Sequence, residues 1–293
     1  MFENFTQRQI TTSEAVINLR HAGDGPPVLL LHGHPQTHVM WHRVAPRLAQ
    51  TYTVVCADLR GYGDSSKPPT TPDHEPYSKR AMARDQVEVM QALGFERFAV
   101  VGHDRGGRCA YRMALDHPDR IAALSVLDIL PTAEHFRRTD MSFAMGYWHW
   151  FFLAQPYDLP ERLIKGDPDA FYLRRGKHMF DEAALAEYRR CFTDPATIHA
   201  MCEDYRAGAG IDMRLDESDQ TAGRRIVCPV QALWGLKGPI DRWYDVCEVW
   251  RGWANHVEGQ GIDCGHYLAE EAPEETLAAL EPFLAKAFER ISL

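Results

Sequence analysis

Three stretches of this chain carry side chains able to do covalent chemistry together. They are Gly102-His103-Asp104-Arg105-Gly106-Gly107-Arg108, Asp128, and Asp263-Cys264-Gly265-His266. In the first, Gly102, Asp104 and Gly106 have the small-x-acid-x-small spacing of a nucleophile elbow. There a side chain is held on a tight strand-to-helix turn and the glycines leave room for it. The apex here is Asp instead of Ser. A carboxylate nucleophile attacks carbon and makes an ester. It suits a halide or an epoxide oxygen leaving an sp³ carbon, and suits ester or amide cleavage poorly. A lone Asp before a helix is most simply an N-cap. A cap explains neither the flanking glycines nor the apolar run Phe98-Ala99-Val100-Val101 just before them.

His266 lies late in the chain in a Gly-containing loop, where hydrolases of this topology place their base. With 14 His in the chain, position singles this one out, not residue type. An acid must orient it. The turn after Val230–Trp234 has no carboxylate before Asp241, so Asp128, at the end of the run Ile121–Leu127, is the better candidate and Asp241 its competitor. His32-Gly33-His34-Pro35 forms another wall. The backbone N–H groups of His34 and Arg105 are placed to bind the oxyanion formed when water attacks the ester. The two close His side chains lack the acidic or imidazole partners of a metal site, so no metal and no cofactor is expected. Arg105 and Arg108 share a helix face one and four residues after Asp104. Two cations beside one carboxylate call for a further anion, and the planar guanidinium fork suits a substrate carboxylate.

These residues need a scaffold that brings distant loops together. Val28–Leu31, Tyr52–Ala57, Phe98–Val101, Ile121–Leu127 and Val230–Gly235 read as buried strands, and Ala15–Leu19 and His256–Glu258 as weaker ones. Helices are expected over Trp41–Leu48, Lys79–Leu93, 105–116, Trp243–Trp253 and Pro273–Ile291. The alternation predicts an α/β fold, a doubly wound, mostly parallel sheet with functional loops at the strands' carboxyl ends. From about Glu134 to Asp219 strand signal fades, aromatics crowd and prolines interrupt helices. An inserted helical cap over 134–219 is expected, with the core formed by 1–133 and 220–293. A chain of 293 residues accommodates this as one domain with an insertion. A net charge of −9 makes a nucleic-acid partner unlikely by electrostatics, and requires local cations for a small anionic substrate. Seven scattered Cys, no leader-like N-terminus and no apolar run of roughly 20 residues make a cytoplasmic protein with free thiols and no membrane contact the expectation.

With these residues assembled, the chain resembles the fluoroacetate (haloacetate) dehalogenases of the α/β-hydrolase superfamily along nearly its whole length. His32-Gly33-x-Pro35-Gln36-Thr37, Ala57-Asp58-Leu59-x-Gly61-Tyr62-Gly63 and the elbow are shared with epoxide hydrolases and haloalkane dehalogenases. Asp-Arg-x-x-Arg at 104–108, with Leu127-Asp128-Ile129, His149-Trp150 and Asp204-Tyr205-Arg206-Ala207-Gly208, is more specific. The resemblance implies Asp104 as nucleophile, Asp128 and His266 as the water-activating pair, and Arg105 and Arg108 on a substrate carboxylate. It implies His149, Trp150 and Tyr205 as a halide pocket, each offering an N–H or O–H donor, and a homodimer. The implied reaction is hydrolytic dehalogenation of a small 2-haloacid to a 2-hydroxy acid and halide. Two places depart from the family pattern: His34 stands where Phe is usual, and Phe171–Phe180 is short, basic and without a Trp. The alternatives are an epoxide hydrolase, with Tyr205 and Tyr147 as proton donors, and a non-catalytic binder of small acids.

Overall fold

In the computed structural model, residues 1–174 and 176–289 are described. Arg175 of the basic cap segment and positions 290–293, including the expected helix end at Ile291, lie outside them. Eight strands form one sheet: β1 Thr6–Thr11, β2 Val16–Ala22, β3 Pro27–Leu31, β4 Thr53–Ala57, β5 Phe98–His103, β6 Ile121–Leu127, β7 Val230–Gly235 and β8 Val257–Ile262. Their order is β1-β2-β4-β3-β5-β6-β7-β8. β2 is antiparallel to both of its neighbours, and every later pairing is parallel. β5 and β6 are buried along their full length, as continuous apolar runs covered by helices on both faces must be.

Register is what matters for function. Leu31 lies beside Gly102, His103 beside Leu127, and Leu127 beside Leu233. The carboxyl ends of β3, β5, β6 and β7 are therefore level, and the loops leaving them meet above one edge. A helical block enters between β6 and β7, from the helix Thr132–Arg137 to the helix Met213–Thr221. It includes the helices Trp148–Leu153 and Pro195–Ala207 and one π-helical turn, Gly208–Asp212.

Two local expectations are corrected, and one strand is added. The segment Trp41–Leu48 is not one helix: a 3₁₀ turn, His38–Trp41, precedes a short helix, Ala45–Leu48. Pro46 lacks the N–H that a continuous helix needs there. Trp243–Trp253 is likewise split into Pro239–Trp243 and Val246–Arg251. Tyr244 is extended, and the Asp245 side chain caps the second piece by accepting from Glu248 N at 2.9 Å. β1 has no counterpart in the sequence reading, because its residues are mostly exposed and polar and leave no apolar signal. All seven cysteines are free. Among the described residues no helix is long and apolar enough to cross a membrane.

Candidate active site

Asp104 follows β5 and precedes the helix Arg105–Asp116. Its backbone sits at φ +45°, ψ −115°, a sparsely populated conformation for a residue with a side chain, and its side chain does not cap the helix. Such strain persists only where the surroundings over-determine it. Two glycines permit it. A Cβ on Gly106 would lie 2.4 Å from His32 O, and one on Gly33 would lie 2.5 Å from the Asp104 Cβ. The N-cap reading is thereby excluded and the elbow established as a backbone feature.

The Asp104 carboxylate is buried and oriented. His34 N donates to its Oδ1 at 3.0 Å. Burial alone would raise this carboxyl, but His266, His103, Arg108 and Arg105 outweigh it and hold Asp104 well below the usual carboxylate range. Oδ2 lies 4.0 Å from His266 Nε2. His266 Nδ1 meets Asp128 Oδ2 at 2.6 Å. Since a carboxylate oxygen accepts, Nδ1 is the donor of this pair and Nε2 is the ring nitrogen turned toward Asp104. Asp128 is itself fixed: Gly235 N donates to its other oxygen at 3.0 Å. The competitor Asp241 instead accepts from Trp234 Nε1 at 2.7 Å. Behind the pair, His103 Nε2 lies 2.8 Å from the His266 carbonyl and holds the loop that carries the base.

His32 takes no part in the cavity. Its Nε2 accepts from Leu59 N at 3.0 Å and its Nδ1 faces Gly33 O at 2.9 Å, so it ties the loop after β3 to that after β4. Among the described residues no cluster of His, Cys, Asp and Glu suits a metal ion.

The two arginines differ in surroundings. Arg108 donates Nη1 to Leu130 O at 2.9 Å and stacks over the Trp150 ring at 4.4 Å, while its buried Nε has no hydrogen-bond partner. Arg105 has found an anion within the protein. Its Nε and Nη2 donate to the Asp204 carboxylate at 2.9 and 2.5 Å, and Nη2 also reaches Asp204 O at 2.9 Å. Lys79 Nζ and Tyr62 OH complete the shell around Asp204. The expectation that both cations must await a substrate anion is thus corrected for Arg105: Asp204, arriving on the cap helix Pro195–Ala207, neutralises it. The sequence held a signal, since Asp204 opens the Asp-Tyr-Arg-Ala-Gly motif beside Tyr205. Only contact across 99 residues reveals its partner.

Core and cap close over a small cavity of about 30 Å³. This is space for a small substrate. Asp104, Arg108 and His266 face it from the core, and His149, Trp150 and Tyr205 from the cap. The rings of His149 and Trp150 lie 6.0 and 6.2 Å from that of Tyr205. Burial, then the nearby Asp104 charge, pushes the Tyr205 hydroxyl far above its ordinary value, so it is a donor at any working pH. Sequence reasoning did not assign Tyr172 and Arg174, which also line the cavity, nor the side chain of His34.

A buried acid–base–carboxylate set at the carboxyl edge of a mainly parallel sheet, on a strained elbow, defines an α/β hydrolase. A family signature described as the alpha/beta hydrolase fold matches residues 26–273. The chain is 48% identical to the fluoroacetate dehalogenase of Burkholderia sp, over 98% of this chain and 96% of that protein. It is 34% identical to the soluble epoxide hydrolase of Corynebacterium sp. (strain C12), over 94% and 98%. Among solved structures, ALR0039 of Nostoc sp PCC 7120, assigned to the α/β hydrolases, matches with a TM-score of 0.95 and 56% identity, covering 97% of this chain and 99% of that one. The chain belongs to the fluoroacetate dehalogenase family of α/β hydrolases.

Proposed function

We propose that this protein is a hydrolase acting on the carbon–halide bond of small 2-haloacids of the haloacetate type. The observation that carries the reading is Arg108, a buried guanidinium with an unpaired Nε, in the same small cavity as Asp104 and the cap donors. A substrate carboxylate answers that cation, while Arg105, anchored on Asp204 through Nε and Nη2, supports the site from behind the cavity lining. Asp104 Oδ1 is held by His34 N, which leaves Oδ2 to attack C2. The C2–halogen bond breaks as the C2–O bond forms, and halide leaves toward the donors of His149, Trp150 and Tyr205. In the second step His266 Nε2 takes a proton from water, Asp128 stabilises the imidazolium, and hydroxide adds to the Asp104 ester carbonyl. Oδ1 then carries the negative charge, held by His34 N and by the first amide of the helix at Arg105. Collapse breaks the acyl C–O bond, the leaving alkoxide takes the proton from the His266 imidazolium, and the 2-hydroxy acid departs with an Asp104 oxygen in its new hydroxyl while the water oxygen stays in the carboxylate.

The reading is supported by the family relationship and by the small polar cavity. An epoxide hydrolase shares Asp104 and His266, and the second curated relative has that activity, but an epoxide carries no carboxylate to answer Arg108. The deciding experiment incubates the His266→Asn variant with chloroacetate and with fluoroacetate. The expected result is halide released in one equivalent and a carboxymethyl ester on the peptide containing Asp104. An unmodified Asp104, or diol formation from epoxides without halide release from any haloacid by the wild type, overturns it.

A further inference from the structure

One wall of the cavity is polar without any role in the reaction just described. His34 and Tyr172 both line it and are 6% and 4% exposed. Neither ring nitrogen of His34 and not the hydroxyl of Tyr172 has a hydrogen-bond partner. The two rings lie 5.3 Å apart, and His34 lies 5.2 Å from Tyr205, so these polar atoms border the same space. Burying an unpaired polar atom is unfavourable, and Phe at either position would fill the wall without that penalty. Polar atoms left without a protein partner beside a cavity are completed by water or by a ligand that displaces it.

Resting on the dehalogenase reading above, we infer that His34 and Tyr172 form a subsite for a hydroxyl group on the substrate, so that the preferred haloacid is a hydroxylated one, of the 2-halo-3-hydroxypropionate kind. The chemistry of the pair selects a hydroxyl. Burial keeps His34 neutral, its pKa pushed down to about 3, so it offers one N–H donor and one bare acceptor nitrogen. Burial likewise keeps the Tyr172 phenol protonated. A hydroxyl both donates and accepts and satisfies such a pair. A second carboxylate only accepts, so it can take the imidazole N–H and the phenol but leaves the bare nitrogen without a donor. An alkyl group would leave all three polar atoms unpaired. Sites built to hydrogen-bond a substrate hydroxyl reject the analogue that lacks it for this reason.

The test compares kcat/KM for 2-chloro-3-hydroxypropionate and 2-chlorobutyrate, which differ by hydroxyl against methyl, with 2-chlorosuccinate as the dianionic arm and chloroacetate as the reference substrate. The expected wild-type preference for the hydroxy acid over chlorobutyrate is about tenfold or more. His34→Phe and Tyr172→Phe are each expected to lower that ratio by about tenfold. Using the ratio within each variant removes any general loss of activity. Because the products, glycerate and 2-hydroxybutyrate, differ in the same way, their binding by calorimetry reads the subsite without turnover. Chloroacetate turnover with no preference for the hydroxy acid, a preference for chlorosuccinate, or ratios unchanged in both variants overturns the inference and leaves the dehalogenase reading standing. Absent halide release from every haloacid, that reading fails instead, and glycerate binding no tighter than 2-hydroxybutyrate sinks the subsite as well.

Discussion

At the scale of single residues, the proposed reaction separates groups that react from groups that recognise. Asp104, held ionised by its surroundings, and His266, aimed by Asp128, need no rearrangement to begin. Arg108 recognises. Replacing it with Met keeps much of the side-chain volume over Trp150 but removes a cation that lines the cavity and whose buried Nε has no hydrogen-bond partner. A charged hydrogen bond of this kind contributes about 1.5–3 kcal/mol. Arg108→Met is therefore expected to raise KM for chloroacetate by roughly 10- to 100-fold, with a smaller change in kcat, because the carboxylate does not react and its binding is largely uniform between ground and transition states. Steady-state halide release measures this, and a loss confined to kcat would contradict the assignment. The places of Asp104, Asp128 and His266 were readable from the chain because each follows a strand end, and strand ends are marked by apolar runs. The pairing of Arg105 with Asp204 was not, since nothing local to either residue points to the other.

At the scale of elements, the loop after β3, the helix Leu268–Glu271 and the cap helix Glu182–Phe192 meet at one buried carboxyl, Glu270. It is 2% exposed. Gln36 Nε2 donates to its Oε1 at 3.1 Å, Tyr188 OH donates to the same oxygen, and Oε2 has no partner. Burial raises its pKa from 4.5 to about 7, against the lowering effect of the two hydrogen bonds. The native state thus retains a proton that the unfolded chain gives up near pH 4.5. The contribution is fully present below that pH and is lost as pH rises through 7. Wild-type stability is expected to fall by about 2–3 kcal/mol between pH 5 and 8 from this group, while Glu270→Gln, always neutral, lacks that fall. Urea midpoints at pH 5, 6, 7 and 8 make the comparison, and parallel curves for the two proteins would remove Glu270 from the account. Sequence reading placed the short helices less well than the buried strands. Trp41–Leu48 and Trp243–Trp253 were each one helix by periodicity, and proline and capping divided them. An exposed polar strand such as β1 has no pattern to read at all.

At the scale of the whole molecule, the cap is an insertion, but its attachments are those of a core. Asp204 binds Arg105 and Lys79. Asp216 and Asp219 bind Arg112 at 2.9 and 2.5 Å. Asp212 accepts from Lys79 N at 2.8 Å. In each case the acid comes from the cap and the base from one of the two core helices, Lys79–Ala92 and Arg105–Asp116, and all of these side chains are buried. Removing one partner of a buried pair costs about 3–5 kcal/mol because the other charge remains out of water. Core and cap therefore open together instead of the cap swinging as a separate lid. Native-state hydrogen exchange resolves the two. In the wild type, peptides from Pro195–Ala207 and from Arg105–Asp116 are expected to exchange with the same opening free energy. In Asp204→Asn, where Arg105 and Lys79 face a neutral amide, both are expected to fall together by about 3 kcal/mol or more. A cap helix that opens at far lower free energy while the core helix stays protected would show that these ion pairs do not join the two parts, and the cavity would then owe its closure to something other than the acidic cap and basic core described here.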